Sequence, residues 1–198
     1  MLDIILVRHG ETAGNLRPTA LGTTDLELNE RGRRQAQSLA RVFKLEKPDV
    51  IYTSPLSRAS ETANAIAREH GMNPEPMLDL CERNFGLWEN LPVDEIRVRF
   101  EEAYSAWQED IVNYQIPGGE SAREHNERLV RMMGDIIRRH QGEKVMLVTH
   151  LGCIRHLLAY LLGMGIEGSW RFSLKPGTFC RLQVDEKGFG VLSSLGEF

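Results

Sequence analysis

Three short apolar runs set the terms on which this chain can fold. Ile4-Ile5-Leu6-Val7 is a continuous, β-branched stretch, the pattern of a strand buried on both faces. Asp49-Val50-Ile51-Tyr52-Thr53 reads as a second strand, and Lys144-Val145-Met146-Leu147-Val148-Thr149 as another buried one. Between and after them lie stretches of helical length. A helix begins near Asn29, a good N-cap, and carries Ala36, Leu39, Ala40, Val42 and Phe43 at mostly helical spacing. A second runs from about Leu56, after the Ser54-Pro55 turn, to His70 and stops at Gly71. Met77 to Leu80 predicts a short extended segment, and Pro92 to Tyr114 a long amphipathic stretch closed by Pro117-Gly118-Gly119. Ser121-Ala122-Arg123-Glu124 has the capping-box pattern, which predicts a helix over 121–141. A helix from Gly152 to Leu162 follows, then two weaker strands, Thr178 to Val184 and Gly190 to Ser194, around Lys187-Gly188. Strands alternating with helices predict an α/β sandwich with a largely parallel central sheet.

Length and composition narrow the class. At 198 residues the chain is one domain's worth, and 41% hydrophobic with 26% charged residues excludes a disordered or collagen-like protein. A net charge of −4 gives no overall attraction to nucleic acid or to an anionic membrane. Cys81, Cys153 and Cys180 are odd in number and lack metal-like spacing, which points to a reducing compartment. No run approaches the roughly 20 apolar residues of a membrane span, and the N-terminal run is too short for a signal peptide. A cytoplasmic protein is expected.

Arg8 and His9 follow directly from the first strand, and His150 from the strand ending at Thr149. In open α/β sheets ligands bind beyond the carboxyl ends of strands, so both histidines belong on one rim. A neutral imidazole is a nucleophile toward phosphorus at neutral pH, and arginine makes bidentate contacts to phosphate oxygens. A lone strand-end histidine is more often structural. Arg8, Gly10 and a second strand-end histidine reverse those odds.

Arg8-His9-Gly10-Glu11-Thr12 resembles the signature of the histidine phosphatases, the phosphoglycerate-mutase-like superfamily. Further blocks are similar in the same order: Asn15, the stretch Gly22 to Asn29 with Gly32 and Gln35-Ala36, and Ser54-Pro55-Leu56-Ser57-Arg58-Ala59 with Glu61-Thr62. Leu80 to Glu89, Pro117 to Ser121 and Val148-Thr149-His150-Leu151-Gly152 complete the set. The resemblance implies a three-layer α/β/α sandwich over 1–198 with a helical, lid-like insertion around 82–120. It implies that His9 attacks phosphorus, while Arg8, Arg58 and His150 hold the three equatorial oxygens. Asn15 would add a neutral donor, and Gly22, Leu151 and Gly152 would border the phosphate. For Gly22 a plain turn glycine is an equal reading, and for Gly152 close helix–strand packing is. Glu82 would be the general acid and then the base for water, which needs burial or the phosphate's charge to hold its proton near pH 7. A surface glutamate paired with Arg83 is the bland alternative.

Glu11 is expected to order the Arg–His loop. Cys153 and His156, with Glu82 or His9, lack compact ligand spacing, so neither metal nor other cofactor is expected. Trp88, Trp107 and Trp170 read as core or rim; Arg97, Arg99, Trp107 and Arg123 are candidates for reading the leaving group. The segment 92–114 lacks the lysine-rich insert of the mutases, which favours hydrolysis of a small phosphate ester. Length and the Asn84 to Glu89 block look most like the alpha-ribazole phosphatase branch of cobalamin biosynthesis, although Asn90 stands where many relatives carry glycine. Phosphoglycerate mutase, phosphoserine phosphatase and protein phosphohistidine phosphatase are the rivals within enzymes. A phosphate-binding sensor on the same fold and a metallohydrolase are the rivals outside that mechanism. A homodimer is left open.

Overall fold

The computed structural model describes residues 1–197. Six strands form one sheet in the order β3-β2-β4-β1-β5-β6, with β1 Leu2–Arg8, β2 Val50–Thr53, β3 Glu75–Pro76, β4 Lys144–Thr149, β5 Phe179–Val184 and β6 Gly190–Glu197. The strands β3, β2, β4 and β1 run parallel, and β5 and β6 close the sheet antiparallel. Among the described residues, α1 Glu30–Phe43, α2 Ser57–Arg68, α5 Ala122–Arg139 and α6 Leu151–Leu161 flank it, while α3 Val93–Arg99 and α4 Glu101–Glu109 belong to the segment 82–120.

The apolar runs are continuous because both faces of the sheet are covered. Along β1, Ile4 and Leu6 join one core with Leu129, Met133, Leu157 and Leu158 of α5 and α6. Ile5 and Val7 join the other with Leu39, Phe43, Ala63 and Ile66 of α1 and α2. In β4, Val145 and Leu147 face the first core, Met146 and Val148 the second. This alternation with period two makes the three layers.

The N-caps read from sequence hold. Asn29 Oδ1 accepts from Gly32 N at 2.8 Å, and Ser121 and Glu124 form the reciprocal box, with Oγ accepting at 3.1 Å and Oε2 at 2.8 Å. Two expectations need correction. The extended pairing falls at Glu75–Pro76, and Leu78–Leu80 is a 3₁₀ turn that buries Leu80 while leaving Leu78 outside. Thr149 Oγ1, donating to Leu80 O at 2.6 Å, fixes that turn. The amphipathic stretch 92–114 is two helices broken at Phe100, whose ψ of 43° leaves the helical region. Around Trp88 it builds a small third core with Ala20, Ile96 and Ile116, joined by Tyr104, Trp107 and Tyr114.

Candidate active site

Residues 141 apart in sequence meet because β1 and β4 are parallel neighbours in register. Arg8 pairs with Thr149, so the next residue on each chain, His9 and His150, leaves the sheet at the same edge. His9 N donates to Thr149 O at 3.0 Å, and the two rings lie 5.1 Å apart. His9 Nδ1 donates to Gly10 O at 2.6 Å, because a carbonyl can only accept. That tautomer leaves the lone pair on Nε2. Burial, with Arg58 and Arg8 alongside, holds the imidazole well below its usual pKa, so it stays a free base.

His9 lines a cavity of about 310 Å³ together with Arg8, Asn15, Glu82, Leu151 and Gly152. Arg8 donates from Nη1 to Leu174 O, and its buried Nε has no partner among the described residues. Burial lowers its pKa to about 10, still cationic at neutral pH. Asn15 accepts with Oδ1 from Thr12 N at 2.9 Å, which orients its amide and leaves the NH₂ as the free end.

Arg58 and His150 back His9 and do not line the cavity. Arg58 is fully buried and donates to Gly22 O at 2.6 Å, Thr24 O at 2.8 Å and His150 Nδ1 at 3.2 Å. His150 therefore carries its proton on Nε2 and donates to Ser54 Oγ at 2.8 Å. Gly22 also stands behind the cavity: a Cβ there would lie 2.0 Å from Arg83 O and 2.2 Å from Glu89 Oε1. Its place in the site is close backbone approach that seats Arg58.

Glu82 is buried on the cavity wall. Its Oε2 accepts from Gly152 N at 2.8 Å and its Oε1 from Arg83 N at 3.0 Å, with His125 Nε2 at 3.9 Å. The first N–H groups of a helix do favour an anion, and here that of Gly152 is taken by Glu82 itself. A Cβ at Gly152 would come within 2.2 Å of Oε1, so only glycine admits the carboxyl. Behind Glu82, Arg128 grips the chain on which it sits, donating to Asp79 O at 2.6 Å, Cys81 O at 2.9 Å and the Glu120 carboxylate at 2.9 Å.

Several site residues carried no signal of their own in sequence. Arg128 lies in no motif block, and Ser54 and Thr62, though within the Arg58 block, take no role from it; all three act through backbone or histidine partners that only the fold brings near, and Thr62 Oγ1 accepts from Gly10 N at 3.1 Å. Glu89 collects the N–H groups of Thr23, Thr24 and Phe85 at 2.8–3.0 Å. Burial pushes its pKa up, but those bonds and the Thr24 hydroxyl outweigh it and hold it low. Glu11 ties to Asn29 at 3.0 Å and to Arg31 at 3.3 Å, ordering the loop onto α1. Asn90 adopts φ 58°, a left-handed conformation that asparagine tolerates better than most residues with a side chain. Trp107 and Trp170 line the cavity; Trp88 is core, and Arg97, Arg99 and Arg123 turn to Tyr104, Glu95 and Asn113 instead.

Glu82, His125 and Cys153 bring three ligand-type atoms within 4.8 Å of one another. The guanidiniums of Arg8, Arg58, Arg83 and Arg155 act on Glu82, and Arg128 on Cys153. That field opposes a divalent cation. The remaining cavity is suited to a phosphate ester beside a nucleophile with a carboxyl opposite.

Comparison with known proteins agrees. The family model of the histidine phosphatase superfamily, branch 1, matches residues 4–195. Phosphoserine phosphatase 1 of Hydrogenobacter thermophilus is 30% identical, covering 100% of this chain and 96% of that protein. The adenosylcobalamin/alpha-ribazole phosphatase of Escherichia coli is 28% identical, covering 92% of this chain and 90% of that one. The crystal structure of the alpha-ribazole phosphatase from Shigella flexneri superposes with a TM-score of 0.91 at 28% identity, covering 98% of this chain and 96% of that one.

Proposed function

We propose, since the chain belongs to the histidine phosphatase superfamily, branch 1, that it hydrolyses a small phosphomonoester through a phosphohistidine at His9. The observation that carries this reading is the His9 Nδ1–Gly10 O bond, which leaves Nε2 unprotonated on a residue that lines the cavity. In the first step a bond forms from Nε2 to phosphorus as the ester P–O bond breaks, and Glu82 gives its proton to the leaving oxygen. In the second, Glu82 takes a proton from water as the water oxygen attacks phosphorus and the P–N bond breaks. Arg8 and Asn15 hold the phosphoryl oxygens from the cavity wall, the N–H groups that Arg58 has left add to them from behind His9, and His150, bonded to Arg58 and Ser54, keeps Arg58 in place. The segment 82–120, which contributes Glu82, Arg83, Phe85 and Trp107, is the cover of a single domain. The free thiols of Cys81, Cys153 and Cys180 support a cytoplasmic setting.

Two substrates are supported. Alpha-ribazole 5′-phosphate is favoured by the likeness to the alpha-ribazole phosphatases and by the rings of Phe85, Trp107 and Trp170 on the wall. Phosphoserine is favoured by the relative that matches the whole chain. The test is phosphate release, with EDTA present, from p-nitrophenyl phosphate, alpha-ribazole 5′-phosphate, phosphoserine, and 3-phosphoglycerate with and without 2,3-bisphosphoglycerate. Chelator-insensitive release together with a labelled phosphohistidine at residue 9 is expected. Phosphate binding without release would favour the sensor, and loss of release on chelation the metallohydrolase.

A further inference from the structure

The wall of the cavity away from His9 carries positive charge that phosphoryl transfer leaves unused. Arg155 on α6 and Arg83 both line it, and each commits Nε to a backbone carbonyl, Phe172 O at 2.7 Å and Glu120 O at 2.8 Å. Among the described residues neither makes an ion pair, while nearby Arg128 is paired with Glu120 at 2.9 Å. Arg83 is 8% exposed, with its guanidinium 5.5 Å above the Phe85 ring. Glu82 and Glu120 act on it only through space.

Beside Arg155 stands His156, 6% exposed, whose Nδ1 is buried without a hydrogen-bond partner among the described residues. Its ring is held edge-on by His125 at 5.1 Å and by Trp170 at 6.3 Å, both also on the cavity. A buried polar atom without a partner and two cations without a paired carboxylate are the groups that an anionic ligand satisfies. The phosphoryl group already has Arg8 and Arg58. A cavity of about 310 Å³ is at the small end for a ligand site, which suits a compact alcohol.

We infer that Arg83, Arg155 and His156 form a second anion subsite, and that the substrate is a small phosphomonoester whose alcohol carries a carboxylate. The inference rests on the phosphohydrolase reading above and chooses between its two substrates. With Arg8 and Arg58 on the phosphoryl group and this wall on the carboxylate, the ester oxygen is left facing Glu82.

The test compares kcat/KM within two matched pairs: O-phosphoserine against O-phosphoethanolamine, which lacks only the carboxylate, and 3-phosphoglycerate against glycerol 1-phosphate. A charge-assisted contact of this kind gives a preference of about tenfold or more for the acid in each pair. In Arg155→Gln the preference falls by a similar factor, chiefly through KM, because the lost contact holds ground and transition states alike. The wild-type pairs decide the matter if that variant fails to fold. Hydrolysis with equal kcat/KM within both pairs overturns the subsite and leaves the phosphohydrolase standing, as does a preference for alpha-ribazole 5′-phosphate over phosphoserine. Release from none of the esters, p-nitrophenyl phosphate included, overturns both.

Discussion

Gly152→Ala isolates the role of Glu82 without touching its carboxyl. An added Cβ would stand 2.2 Å from Oε1, 2.9 Å from Cδ and 3.1 Å from Oε2, so the carboxyl must leave its seat. What is lost is the 2.8 Å bond from Gly152 N, a charge-assisted contact worth about 1.5–3 kcal/mol, and with it the aim of the acid. General acid catalysis contributes roughly 10²–10⁴-fold. We therefore expect kcat/KM for phosphoserine, whose alkoxide leaves poorly, to drop by roughly 10²–10³. p-Nitrophenyl phosphate, whose leaving group departs without a proton, should lose less than about tenfold. Alanine is the better helix former in the first turn of α6 by about 1 kcal/mol, which offsets part of the lost bond, so a lowered but still cooperative thermal transition is expected. The measurement is steady-state hydrolysis of both esters by the two proteins, with Glu82→Gln as the reference pattern. Equal losses on both esters, or no loss on phosphoserine, would refute the assignment of Glu82 as the acid.

Other expectations follow from the same geometry. His9→Ala should fold normally, form no acid-labile phosphoenzyme on rapid quench, and lose at least ~10³ in turnover; trapped label elsewhere would move the nucleophile. Because burial, Arg58 and Arg8 hold His9 well below 6.5, kcat/KM for an activated ester should keep its acid limb below that value, and a limb at 6.5 or above would contradict it. His156 is lowered to about 4, chiefly by burial, so below pH ~6.5 the unfolded chain takes up a proton that the folded protein refuses. Stability is unaffected by this group above pH ~6.5 and falls toward pH 4, by ~2 kcal/mol between pH 7 and 5; His9, His125 and His150, also held low by burial, add slopes of the same sign, so denaturant midpoints should show a fall that His156→Gln lessens by its own share. Arg128→Ala should lower turnover of phosphoserine more than that of p-nitrophenyl phosphate, by freeing the segment 79–82 that its guanidinium holds; equal effects would make Arg128 structural only.

What could be read from the residues alone was what depends on local pattern and topology. The apolar runs announced β1 and β4 because each is buried on both faces, and β2 because one face is buried and the other partly covered; the strand-end rule then brought His9 and His150 together. The caps at Asn29 and Ser121 are local chemistry and were legible for that reason. The turn at 78–80 was not, because Leu80 is held by Thr149, 69 residues away. Nor could spacing reveal that Gly152 serves Glu82, or that Arg58 and His150 are bonded to each other behind the nucleophile. His125 and Cys153 meet Glu82 only because α5 and α6 pack side by side over the same end of the sheet.

Arg58 gives three of its five N–H groups to Gly22, Thr24 and His150. At most one hydrogen on each terminal nitrogen remains for a ligand. A protein built to retain phosphate would offer the whole fork; this one meets its product with a cradle that is already half content. Inorganic phosphate can thus depart without stranding a buried cation, and the pocket is free for the next ester.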